Sequence, residues 1–238
     1  MPEPRLMMAN ESEGLLPICK PVGKTSFSLV SVLRRLTSIR TIGHAGTLDP
    51  FASGVMLLLI GKPYTRLSDQ FLHQNKEYRA TVHLGVTTDS YDIDGAIIEE
   101  NPYVPTLSEV EETLLKFQGT MLQTPPMFSA KKVQGKKLYE LARKGITIER
   151  KAVPVELKVD LVEYAYPKLT LHVACSKGTY IRSLAYDIGI ELTCGAHLSH
   201  LIRTRSGPYT LDECCDGERL MQPDYDWKPF LKKVLKPT

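Results

Sequence analysis

The sequence predicts an α+β fold: a mixed, mostly antiparallel sheet flanked by helices. Two observations carry that prediction. Several stretches alternate apolar and polar residues with the two-residue period of half-buried strands. Others repeat apolar residues at helical spacing, and the two kinds are interleaved without the regular βαβ alternation of a parallel sheet. The chain carries no internal repeat and no low-complexity segment.

Residues 1–13 read as a loose arm, GLLPICK (14–20) as a short strand, and PVGKTS as the turn after it. Thr25 or Ser26 is the expected N-cap of a helix whose apolar face is Leu29, Val30, Leu33 and Leu36. The small-residue loop GHAGTLDPFASG (43–54) follows and runs into an apolar strand, Val55–Ile60. A helix is expected from Pro63 to Leu72, with proline in its first turn. In KEYRATVHLG, residues Tyr78, Ala80, Val82 and Leu84 share one strand face, and Arg79, Thr81 and His83 the other. Ser108 and Glu111 read as a capping box opening a helix to Phe117. Two more alternating strands carry Val155, Leu157, Val159 and Leu161, then Leu169, Leu171, Val173 and Cys175. A helix from about Tyr180 to Leu192 buries Ile181, Leu184, Ala185, Ile188 and Leu192. A last strand near 197–205 leads to a polar tail.

At 238 residues, 42% hydrophobic and 24% charged, the chain has the composition of a soluble globular protein able to bury a sizeable core. Its net charge of +3 is mild, but the distribution is uneven. Lys131, Lys132, Lys136, Lys137, Arg143, Lys144, Arg150 and Lys151 stand against only Glu140 and Glu149, a field that attracts polyanions or a solvated helix face. The five cysteines include no C-x-x-C pair, and the N-terminal residues have no apolar core of a signal peptide. Reduced thiols in a cytoplasmic protein, with no metal site, are expected. The longest apolar stretch, Val55–Ile60, is too short to span a membrane.

Four places invite a chemical reading. TTDSYDIDG (87–95) matches part of a calcium loop, but Asn101 falls where a bidentate glutamate is required, so a polar turn between strands is the better reading. His44, Asp49 and Ser53 lack the G-x-S-x-G elbow of a hydrolase triad. In CSKGTYIRSL (175–184), Gly178 can make the turn that lets Thr179 or Tyr180 open a helix. Arg182 then lies in the first turn, where the helix dipole disfavours a cation, and it wants an anion: a carboxylate or a phosphate. Tyr78 points its ring inward and needs a partner for its hydroxyl. On this reading alone, Arg182 is as well explained by a structural ion pair as by a site, and Tyr78 is better explained as a core residue.

Taken together, KPVGKTSF (20–27), GHAGTLDPFASGVM (43–56), KEYRATVHLGVTTDSYDIDG (76–95), PPMFSAKKVQGKKLYELARKG (125–145), CSKGTYIRSL (175–184) and CGAHLSHLIRTRSG (194–207) resemble the TruB family of tRNA pseudouridine synthases. The resemblance is colinear over nearly all of residues 14–207. It implies the pseudouridine synthase catalytic fold and a cofactor-independent isomerisation of uridine 55 in the tRNA T-loop. The N1–C1′ bond breaks, the uracil turns, and C5 is joined to C1′. By motif, Asp49 is similar to the family's nucleophile, with attack at C6 of uracil or at C1′ both open. Tyr78 resembles the tyrosine that packs against the flipped base and is a candidate to abstract the C5 proton. Arg182 resembles the arginine that pairs with the catalytic carboxylate, Tyr180 and Leu201 resemble uracil-pocket residues, and His44 resembles the histidine that fills the space left in the RNA.

The physical chemistry agrees with these assignments. A base is reached only after leaving its stack, and aromatic side chains replace the lost stacking. A guanidinium opposes the rise in pKa that a dry pocket would impose on the nucleophile. Pro50 fixes its own φ and biases Asp49 toward an extended backbone. The basic segment within 125–151 is then an RNA-facing surface making phosphate contacts.

The expected organisation is a catalytic domain over 14–207 and a short C-terminal extension over 208–238, too short for the PUA domain that binds the acceptor stem in many family members. The expected partner is the T-arm of tRNA, with no guide RNA, no membrane and a monomeric enzyme. A non-catalytic RNA binder of the same shape is the rival, and the intact Asp49, Tyr78 and Arg182 set argues against it. The same chemistry on another RNA is a second.

Overall fold

A computed structural model of the chain describes residues 11–129, 131–133 and 135–233, with the backbone alone for 132 and 137. Most of the expected arm, residues 1–10, lies outside the described residues. The elements begin with β1 (Gly14–Lys20), α1 (Ser26–Thr37), β2 (Ile42–Ala45), β3 (Ser53–Ile60), α2 (Lys62–Thr65) and α3 (Ser68–Leu72). They continue with β4 (Lys76–Leu84), β5 (Val86–Thr88), β6 (Ile97–Glu100), α4 (Leu107–Leu115), β7 (Gly119–Gln123), β8 (Lys132–Val133), β9 (Lys136–Lys137) and α5 (Leu138–Ala142). The last are β10 (Val153–Ala165), β11 (Lys168–Cys175), α6 (Ile181–Glu191), β12 (Ala196–Ser206), β13 (Tyr209–Thr210) and β14 (Cys215–Asp216). Strands in mostly antiparallel pairs with flanking helices make the fold α+β, as the sequence predicts. The described residues form two compact units, 11–73 with 205–233, and 74–204.

In the first unit β3 is the central strand. It pairs antiparallel with β1, from Gly14 opposite Ile60 to Lys20 opposite Gly54, and with β2, from Ile42 opposite Ile60 to Ala45 opposite Leu57. Both faces of β3 are covered, which explains its unbroken apolar run. Met56, Leu58 and Ile60 join Leu29, Val30 and Leu33 of α1 in one core, while Val55, Leu57 and Leu59 join Tyr64, Phe71 and Tyr209 in another. The tail is less polar than expected. β14 runs parallel to β1, and Cys215, Leu220 and Trp227 are buried in the α1 core.

Three expectations shift in detail. The helix expected over 63–72 is two short ones, α2 and α3, separated at Arg66–Leu67. Leu36 is exposed, because it lies about 70° from the centre of the stripe formed by Ser26, Leu29, Val30 and Leu33. Helix α4 is capped by Thr106 with Glu109, two residues before the expected Ser108–Glu111 box.

In the second unit β4, β11, β10 and β7 form successive antiparallel pairs, and β12 lies beside β4 on the other side. The alternation in β4 is as expected, with Tyr78, Ala80, Val82 and Leu84 buried. Lys76, at the start of the same face, is buried too.

Candidate active site

Asp49 sits in the loop between β2, which carries His44, and β3. That loop is held on both sides by the segment after β1. The buried Ser26 hydroxyl accepts from the Leu48 N–H at 3.1 Å and donates to the Leu48 carbonyl at 3.2 Å. Beyond Asp49, the Pro50 carbonyl accepts from the Gly23 N–H at 2.7 Å and from Lys20 Nζ at 3.3 Å. Lys20 is fully buried, and its ammonium also donates to the carbonyls of Pro21 and Lys24, at 2.8 and 2.7 Å. Three carbonyl oxygens solvate the charge that burial strips of water. The loop closes on itself through the Ala52 N–H, which donates to the Asp49 carbonyl at 3.1 Å. Gly23 supports the turn with φ of +79°, a conformation glycine adopts without strain.

In the second unit the helix expected to carry Arg182 is α6, opened by Tyr180 as N-cap after a turn in which Gly178 has φ of +78°. Tyr180 has no side-chain cap of its own. The Gln123 amide of β7 braces this residue instead, accepting from the Tyr180 N–H at 2.8 Å and donating to its carbonyl at 3.0 Å. Three residues on, the Ser183 hydroxyl donates to the Thr124 carbonyl at 2.9 Å, so the first turn of α6 and residues 123–124 are locked together.

Arg182 is 5% exposed, and Asp92 is a carboxylate beside it. Nη1 donates to Asp92 Oδ2 at 3.1 Å and to the Ser90 carbonyl at 3.3 Å, while Nη2 donates to the Phe128 carbonyl at 2.7 Å. Asp92 is itself pinned, because Oδ1 accepts from Ser90 Oγ at 2.5 Å and from the Asp94 N–H at 3.1 Å. The segment read as a polar turn is thus a turn, but one that buries a carboxylate against the arginine. The sequence reading missed Asp92. The signal was there in the D-x-D spacing after a strand, yet its partner is 90 residues away.

Tyr78 is buried on β4 opposite Val173, and Leu201 is buried on the neighbouring β12. Two buried cations in this unit also escaped the sequence reading, Lys76 and Arg203. Burial, and then the nearby Arg203 guanidinium, lower the Lys76 ammonium to about 8. Within each unit the site residues therefore fall into groups: His44 and Asp49 in the first, and Tyr78, Tyr180, Arg182 and Leu201 in the second. The basic segment carries the β8–β9 hairpin and α5, with Lys136, Arg143, Lys144 and Lys151 exposed.

Among the described residues no helix is long and apolar enough to cross a membrane.

Comparison with known proteins gives the family. The TruB family pseudouridylate synthase N-terminal domain matches residues 34–181, and the tRNA pseudouridylate synthase B C-terminal domain matches 182–238. A tRNA pseudouridine synthase B of Protochlamydia amoebophila is 57% identical over 208 residues, covering 87% of this chain and 79% of the relative. That of Chlamydia trachomatis serovar L2 is 54% identical over 236 residues, covering 97% and 98%. Among solved structures, a chain of a Cbf5-Nop10-Gar1 complex superposes with a TM-score of 0.71 at 27% identity, over 95% of this chain and 59% of that one. With both family domains matched and these levels of identity over most of its length, the chain belongs to the TruB family of tRNA pseudouridine synthases, isomerases that act on tRNA.

Proposed function

We propose that the enzyme isomerises uridine 55 in the T-loop of tRNA, with Asp49 as the nucleophile acting on a flipped-out base. The observation that carries the reading is the Asp49 loop, whose flanking residues Leu48 and Pro50 are both tied to the segment after β1. A surface aspartate has no need of such support, whereas a nucleophile gains rate from a fixed approach to its target.

The chemistry balances without an external reagent. The carboxylate attacks C1′, or alternatively C6 of the uracil, and the N1–C1′ bond breaks with its electron pair moving to the uracil ring. The uracil turns and C5 bonds to C1′, displacing the Asp49 carboxylate from C1′, or, in the alternative, with the carboxylate later eliminated from C6. N1 takes up a proton, and the C5 proton leaves to a base, for which Tyr78 is the candidate. Tyr180 and Leu201 shape the uracil pocket, and His44 fills the gap in the RNA. Arg182 is the cation that favours an ionised nucleophile, and Asp92 orients its guanidinium. Basic residues of 125–151 bind phosphates, so affinity should fall as salt rises. The catalytic body is 14–207 with 208–238 as a short extension, working as a monomer in the cytoplasm without a guide RNA.

The test is to incubate an unmodified tRNA transcript with the enzyme and map pseudouridine by carbodiimide labelling and primer extension. A single new stop at uridine 55, also obtained with the isolated T-arm, is expected. Modification elsewhere, with that uridine untouched, would refute the assignment and point to the same chemistry on another RNA site.

A further inference from the structure

We propose that Ser26 is a positioning residue for the reaction: by fixing the peptide of Leu48 it sets where the Asp49 carboxylate points. The inference rests on the reading of Asp49 as nucleophile. Ser26 is the first residue of α1 and is 4% exposed. Its single hydroxyl serves both polar groups of Leu48, accepting from the N–H and donating to the carbonyl. A hydroxyl has one proton to give and lone pairs to accept with, so these two bonds use its donor and orient the side chain fully. Leu48 is 4% exposed, so water is poorly placed to take over either bond.

The Leu48 carbonyl belongs to the peptide unit whose nitrogen is that of Asp49. Holding that oxygen holds the plane from which the Asp49 chain departs. On the far side, the Pro50 carbonyl is held by the Gly23 N–H and Lys20 Nζ. Asp49 is thus suspended between two fixed peptide oxygens, with a proline restricting its own backbone. The anchor is firm, because α1 is a twelve-residue helix seated in the core by Leu29, Val30 and Leu33. Ser26 touches no reacting atom on this account. It acts through the loop.

Thr25 supplies the control. It is the N-cap of the same helix and accepts from the Ser28 N–H at 3.1 Å, a bond that does not involve the Asp49 loop. Steady-state kinetics on T-arm RNA, with melting temperatures, compare wild type, Ser26→Ala, Ser26→Cys, Thr25→Ala and Asp49→Asn. Ser26→Ala should lower kcat by about tenfold or more, with KM and RNA affinity within about threefold of wild type. Thr25→Ala should lower the melting temperature but leave kcat within about threefold. Ser26→Cys nearly keeps the volume while weakening both bonds, so its kcat should fall between the two, and it serves where the alanine variant does not fold. A kcat within about threefold of wild type in both Ser26 variants would overturn the proposal, as would an equal loss in Thr25→Ala, which would tie the effect to helix stability. The Asp49→Asn arm separates the two readings. If that variant still turns over, the nucleophile assignment fails; if it is inactive while the Ser26 variants are not, only the role of Ser26 fails.

Discussion

Around Asp49 the described hydrogen bonds engage backbone groups: those of its neighbours Leu48 and Pro50, held by Ser26, Gly23 and Lys20, and its own carbonyl, which accepts from the Ala52 N–H. Around Arg182 they involve the guanidinium itself, which donates to the Asp92 carboxylate and to two backbone carbonyls. The first region fixes a residue by fixing the chain on either side of it. The second fixes a side chain by surrounding its charge. The two should therefore fail differently. Loss of a bond in the Asp49 loop misdirects a group and shows mainly in turnover, whereas loss of a partner in the Arg182 cluster strands a buried ion and shows strongly in stability.

The sharpest separation should come from the charged residues themselves. Asp49→Asn should abolish turnover while tRNA binding, measured by filter retention, stays within about tenfold of wild type. Arg182→Ala should lower both activity and stability, because it leaves the buried Asp92 carboxylate with Ser90 and the Asp94 N–H as its described partners and no described cation. A loss of about 3–5 kcal/mol in denaturant unfolding is expected, partly recovered when Asp92 is also replaced by an apolar residue. If the single and double variants are equally unstable, the pair is not what holds Arg182.

Lys20→Met tests the other region at a charged support. It leaves the Pro21 and Lys24 carbonyls without their buried donor, while the Pro50 carbonyl keeps the Gly23 N–H. A destabilisation of about 1–3 kcal/mol is expected, read from the denaturant midpoint.

The smallest effect concerns Asp187, on the same helix as Arg182 but without a charged partner among its described contacts. Burial raises its carboxyl to about 6. An unfolded aspartate titrates near about 3.9, so the protonated form favours the folded state; that stability is complete below about pH 4 and is lost as the pH rises through about 6. Asp187→Asn should melt higher than wild type at pH 7, with the difference vanishing near pH 4. An unchanged pH profile would mean that the carboxyl is as well solvated folded as unfolded.

Much of this architecture was legible in the sequence because its signals are local. The two-residue alternation of β4, the cap at Thr25 and the turn at Gly178 each depend on a few adjacent residues. Even the misses follow from local ambiguity. TLSEVEE contains two overlapping capping boxes, and the helix takes the earlier one, Thr106 with Glu109. Residues 62–72 have a helical apolar spacing at Tyr64, Leu67 and Phe71 that two short helices satisfy as well as one long one. What could not be read was long-range charge pairing. A lysine is ordinarily exposed, and only the fold reveals Lys20 ringed by carbonyls or Asp92 against Arg182. The Asp49 loop stood out by composition, as a lone carboxylate among small residues before a buried strand, but its supports are contacts that no spacing encodes.

The most direct test uses T-arm RNA carrying tritium at C5 of its uridines, incubated with wild-type enzyme and with Asp49→Asn. Joining C5 to C1′ expels the C5 hydrogen, so turnover at one uridine releases one equivalent of tritium to water. The account predicts that release from the wild type and none from Asp49→Asn, although the variant still binds the RNA. Release by Asp49→Asn at a comparable rate would contradict it, and the carboxylate at the centre of the loop would not be the nucleophile.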